Sequence, residues 1–195
     1  MVSSVPPAAN PRQLLSERQT STVSTLLDAA LDELREVGFD QVSLRTVAHR
    51  AGVTHTTAYS YFTSKGHLVA ELHWRQLQQV PAARVADGTP FVDRVRAAFS
   101  GPSAAMADEP ALARAVLSAF VTNEPNVLRV RDAIARELSS RLSEALGDLD
   151  DPVIHVALLT QYSGAMLAAG MLTHDYLGVI DQMESLAHLI DDRGD

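Results

Sequence analysis

Cysteine is absent from the 195 residues, which excludes disulfides, thiolate zinc sites and cysteine nucleophiles together. Aromatic side chains make up only 5%, and no alternating apolar pattern recurs, so the usual material of strands is missing. Basic charge is short as well. Lys and Arg number 16 against 24 Asp and Glu, a net charge of −8 that argues against indiscriminate binding to nucleic acid. The shortage is uneven: residues 1–75 hold seven basic and seven acidic side chains, so the whole negative excess lies in residues 76–195. An acidic body repels phosphates, and any contact with DNA is therefore expected from the N-terminal part.

Other absences narrow the function. The first seventeen residues contain Pro6, Pro7 and Pro11 but no basic start followed by an apolar stretch. They read as a loose tail (residues 1–17) and not as a signal peptide. The most apolar later stretch, Val156 to Leu172, is interrupted by Thr160, Gln161, Tyr162 and Ser163 and is shorter than a bilayer needs. A buried helix is expected there, with no membrane partner and a cytoplasmic setting. No GxSxG elbow, HExxH helix, phosphate-binding glycine loop or dinucleotide fingerprint occurs, so neither an enzyme, a catalytic residue nor a cofactor is expected. His67 and Glu71 share a helical face, but neither they nor His49 and His73 belong to a ligand set, and no metal site is expected.

What is present is helical throughout. Val23, Leu26, Leu27, Ala30, Leu31, Leu34 and Val37 recur at three- and four-residue spacings, and Gly38 follows as a stop. Ser43 offers a cap for a short helix with Leu44, Val47, Ala48 and Ala51 on one face, ended by Gly52. Thr54 caps a third segment and Ser64 a longer fourth. Helix, tight glycine turn and helix form a helix-turn-helix, whose second helix lays its N-terminal half in the major groove. At 100° per residue, Ala58 and Phe62 set the inward face of that third segment. Thr56, Tyr59, Ser60 and Thr63 then point outward, with Thr57 flanking them. Hydroxyls and a tyrosine can meet phosphates or base edges, and His55 sits at the helix start, where the dipole favours phosphate.

The run from Val42 through Ala48 and from Gly52 through Lys65 resembles the tetracycline-repressor (TetR/AcrR) family, with Asp28-Ala29-Ala30, the Gly38-Phe39 stop and Leu68 in keeping. The resemblance covers residues 20–72. It implies that Arg45 reaches a base in the manner of some members, that His55, Thr56 and Thr57 read bases, and that Tyr59, Tyr61 and Lys65 contact phosphates. Ser43, in its cap position, can do the same. The sequence departs from the family in having no Lys or Arg between Arg50 and Lys65 and only Arg12 and Arg18 in the tail, which implies modest non-specific affinity.

Beyond this head, proline and glycine punctuate further helices, among them a long one lined by Val127, Val130, Ile134, Leu138, Leu142 and Ala145 and ended by Gly147. The expected organisation is all-α: a DNA-binding domain over residues 18–66 and a helical domain for ligand binding and dimerisation over residues 67–195. The family resemblance implies that the last two helices, about 152–172 and 175–191, form a four-helix bundle with a partner's. Tyr176, Ile180, Met183, Ala187 and Ile190 make a coiled-coil-like seam, Leu177, Leu186 and Leu189 a second apolar face, and Gly164, Ala165, Ala168 and Ala169 permit close approach. It also implies a pocket for a small apolar effector, for which Phe99, Met106, Leu117, Phe120, Tyr162 and Met166 are the candidate lining, with Gln161, His155 or Asn123 as polar handles. The expected function is a homodimeric repressor that binds a double-stranded operator and is released by that effector. The alternatives are a helical binding or catalytic protein with a vestigial helix-turn-helix, and a regulator with no effector.

Overall fold

The computed structural model describes residues 17–192 and, among them, helices without strands. The tail expected over residues 1–17 lies outside the described residues except for Glu17, which opens the first helix. Short-range devices build the head. Helix α1 (Glu17–Gln41) buries Leu26, Leu27, Ala30 and Leu34, and its helical backbone breaks at Gly38, where φ is 73°. Helix α2 (Leu44–Arg50) starts from a capping box in which the Ser43 hydroxyl accepts the Thr46 amide and the Thr46 hydroxyl accepts the Ser43 amide. Gly52 turns the chain at φ 68°, a conformation that a side chain resists, and Thr54 caps α3 (His55–Tyr61) by accepting the Thr57 amide. Ser64 does the same for α4 (Lys65–Gln79) at the His67 amide.

The rest of the chain forms α5 (Phe91–Asp108), α6 (Pro110–Phe120), α7 (Pro125–Leu146), α8 (Pro152–Ala168) and α9 (Gly178–Asp191). Proline opens α6, α7 and α8, where its missing N–H costs nothing. Helix α6 is the hub, packed against both α1 and α4, so the head and the larger helical body share one core. Arginines finish other helices: Arg141 of α7, itself buried, donates to the Leu77 and Val80 carbonyls at the end of α4, and Arg94 of α5 donates to the Leu146 carbonyl at the end of α7.

Of the last two helices, α9 turns one apolar face to its own chain and leaves Leu177 and Leu189 exposed, as two apolar faces allow, whereas α8 departs from the expectation. The seam of Tyr176, Ile180, Met183 and Ala187 is buried within its own chain, where α9 lies along α5. Helix α8 runs on through a π-helical turn (Ala169–Thr173), giving an unbroken run of 22 residues that is long and apolar enough to cross a membrane by length and composition, with only 28% of its apolar window buried. It is neither the short nor the buried helix expected over Val156 to Leu172. Leu158, Tyr162 and Ala165 supply its inward row, while Val153, Val156, Leu167, Met171 and Leu172 face outward.

Candidate nucleic-acid interface and interior cavity

The third helix presents the surface its spacing predicts. Ala58 and Phe62 are buried, His55, Thr56, Tyr59, Ser60 and Thr63 are exposed, and Thr57 lies half-buried at the edge. Tyr59 is 56% exposed, a large open ring beside small hydroxyls on a helix whose other face is sealed. Arg45 stands exposed on α2. Tyr61 is half-buried and packs on the core, and the Ser43 hydroxyl is engaged in its cap.

Two cations are spent on holding the head together. The Lys65 ammonium donates to the Phe39 carbonyl at 3.0 Å and the Asp40 carbonyl at 3.3 Å and sits 4.3 Å from the Phe39 ring centre. It secures the end of α1 beyond the Gly38 break. Arg50 donates to Glu33 at 2.7 Å and pairs with Glu36, pinning α2 to α1; these carboxylates hold its guanidinium charged and raise its pKa. The helix-turn-helix is thus braced from behind and open on the α3 face.

A second contact ties the head to the body. At the start of α7 the Glu124 carboxylate accepts from the Thr63 and Ser64 hydroxyls, and the Asn126 amide donates to the Thr63 hydroxyl at 3.0 Å. Burial pushes the Glu124 carboxyl up, but those two hydroxyls and His67 outweigh it and leave the pKa below its usual value.

Within the body a cavity of about 500 Å³ opens between α4, α5, α6, α7 and α8. Met106, Leu117, Phe120, Tyr162 and Met166 line it, as expected. Phe99 does not: its ring is fully buried and stacks on Tyr162 with centroids 4.3 Å apart, so Tyr162 stands between it and the cavity. The expected polar handles also lie elsewhere. Gln161 and Asn123 are exposed, and His155 is held between Asp150 at 2.7 Å and Ser139 at 2.8 Å. That serine, histidine and aspartate chain has the connectivity of a hydrolytic triad, but Ser139 lies in mid-helix, where the surrounding amides are committed to the helical ladder and none is free to hold an oxyanion. It braces α7 against α8.

The polar side chains that do line the cavity are His73 and Gln76 of α4, Ser163 of α8, Tyr176, and Arg131 and Asp132 of α7. Sequence reasoning missed them as a group. The available signal was a pair of polar residues, His73 and Gln76, three apart on the inward side of α4 between the buried Leu72 and Leu77.

Comparison with known proteins agrees with this geometry. The sequence model of a family described as bacterial regulatory proteins, tetR family, matches residues 26–72. An uncharacterised HTH-type transcriptional regulator of Mycobacterium tuberculosis is 34% identical over 177 residues, covering 90% of this chain and 83% of that protein. The HTH-type transcriptional repressor KstR of Mycolicibacterium smegmatis is 31% identical over 140 residues, covering 70% of this chain and 68% of that protein. Thermus thermophilus FadR, a TetR-family repressor solved in complex with lauroyl-CoA, superposes with a TM-score of 0.65 at 18% identity over 85% of this chain and 92% of its own, a likeness of fold.

Proposed function

The chain belongs to the tetR family of bacterial regulatory proteins and is a DNA-binding transcriptional regulator; from that premise we propose that it is a cytoplasmic repressor, working as a homodimer and leaving its operator when a small, mostly apolar effector enters the interior cavity. The observation that carries the reading is the α3 surface, where His55, Thr56, Tyr59 and Ser60 stand exposed on a helix whose opposite side is buried. A helix presented in this way offers hydroxyls to phosphates and base edges. Residues 18–66 act as the reading head and residues 67–195 as the pairing and sensing body.

KstR and FadR are both repressors, and a bound lauroyl-CoA in the latter supports an effector site in a fold of this kind. The 500 Å³ cavity favours an effector over a regulator without one. The outward row of Val153, Val156, Leu167, Met171 and Leu172 supports pairing, since an apolar face of this kind on one protomer is what a partner covers. An effector releases the protein only by binding the non-DNA-binding arrangement better.

The test is a fluorescence-anisotropy titration on DNA upstream of the protein's own gene, with excess non-specific competitor. Saturable binding is expected, and Thr56→Ala or Tyr59→Ala should each weaken it by roughly five- to a hundredfold, the worth of a lost base-edge or phosphate contact. Equal affinity of wild type and both variants would remove α3 from the interface.

A further inference from the structure

Resting on the reading of the cavity as an effector site, we propose that its ligand is an uncharged molecule with an apolar body and a hydroxyl or comparable neutral polar group, recognised by His73, Gln76 and Tyr176. Three polar atoms of the lining residues, His73 Nδ1, Gln76 Oε1 and the Tyr176 hydroxyl, are shielded from solvent and make no hydrogen bond of normal geometry, although Gln76 interacts with His73 closely enough to raise its pKa. Buried polar atoms in folded proteins are nearly always paired, and each unpaired one costs stability. Three around a single cavity mark groups whose partners arrive with a ligand.

Their chemistry sets its class. The Gln76 side-chain nitrogen donates to the Ala105 carbonyl at 2.7 Å, which fixes the amide and leaves its oxygen needing a donor such as a hydroxyl. The Tyr176 hydroxyl can donate to a carbonyl or hydroxyl oxygen. Gly170 gives it room, because a Cβ there would stand 2.9 Å from the phenol oxygen and against Leu117. His73 is kept neutral by its surroundings and offers no charge to an anion. The charged lining residues are Arg131 and Asp132, which are exposed, opposite in sign and neighbours on α7; Arg131 already donates to the Phe120 carbonyl at 3.0 Å. A carboxylate or ammonium in the interior would lose its water without a countercharge, whereas a neutral hydroxyl would satisfy atoms that are otherwise unpaired. Leu77, Val116, Leu117, Ile134 and Leu138 supply walls for the apolar body.

Binding is read by isothermal titration calorimetry. Decanol, decanoate and decylamine share one apolar body and differ in charge, and they are titrated into the full-length protein at neutral pH. Decanol is expected to bind at least about tenfold more tightly than either charged probe, and Gln76→Met should weaken it roughly fivefold. In the ligand-free protein, Tyr176→Phe should raise the melting temperature, because it deletes an unpaired hydroxyl and breaks no bond. Decanoate or decylamine binding as well as decanol would overturn the inference while leaving an effector cavity. A lowered melting temperature for Tyr176→Phe, or decanol affinity unmoved by Gln76→Met, would overturn it too, since those groups would then be structural. If none of the three probes binds, the effector reading falls and the inference with it.

Discussion

Burial takes the His73 imidazole from its ordinary 6.5 down to about 4, with the Gln76 side chain opposing part of the shift. The sign of the consequence follows from proton counting. As pH falls below 6.5 the unfolded chain takes up a proton on this residue, and the folded chain does not until about 4, so stability drains across that window. Between pH 7 and pH 5 the loss is about 2 kcal/mol. The depressed carboxylates of Glu36, Glu124 and Asp150 lose their contributions only below their ordinary values of 3.8 to 4.5. His73→Phe should therefore flatten the acid side of the stability curve between pH 7 and pH 5, measured by urea unfolding; parallel curves for the two proteins would mean that His73 is solvated. Lys65 shows a different economy at the same scale. A residue type suited to phosphate is placed on the Phe39 and Asp40 carbonyls, so the sole lysine of the chain completes α1, while the proposed DNA-contacting surface exposes hydroxyls, Tyr59 and Arg45.

Between elements, the turn from α3 to α4 is held by the N-terminus of α7. Glu124 accepts two hydroxyls there while Phe120 and Val121, a few residues upstream, line the cavity. One short stretch, residues 120–124, thus touches both the helix-turn-helix and the interior cavity. Glu124→Ala leaves the Thr63 and Ser64 hydroxyls to solvent and should cost about 2 kcal/mol, the usual worth of hydrogen bonds to a charged group. Its signature should be local. Amide exchange across residues 57–68 should speed up while that of α9 stays as in wild type; a uniform rise over both would show global destabilisation and no specific latch. The same elements show which features sequence could reveal. Ser43, Thr54, Ser64 and Gly52 act within three residues of themselves, so the short helices and the outward face of α3 were legible. The cavity wall was not equally legible. Phe99 and Met106 lie two helical turns apart on α5, yet only Met106 borders the cavity, because the Tyr162 ring from α8 covers Phe99. That arrangement depends on the packing of several helices, and local periodicity carries no record of it.

At the scale of the whole molecule, the acidic body and the sparse cations of the head leave a single protomer with one short reading helix and little phosphate attraction. In the proposed homodimer, specific binding depends on two heads held at a fixed separation, and the outward row of α8 is the surface suited to hold them. Val153, Val156, Leu167, Met171 and Leu172 are between 49% and 78% exposed, apolar, and spread along a 22-residue helical run. Water and lipid are the other media that could cover this row, and the three cases separate cleanly. A row facing water would tolerate a charge without consequence. A row facing lipid would carry wild-type protein to the top of a gradient with neutral vesicles. If it faces a second protomer, Val156→Glu buries an unpaired carboxylate at the interface, and sedimentation should show monomers where the wild type shows dimers. Operator affinity should fall with it by about a hundredfold or more, because the second head no longer binds at the high effective concentration that linkage gives. A Val156→Glu protein that remains dimeric and keeps its operator affinity would move the pairing surface off α8, to the exposed Leu177 and Leu189 around α9.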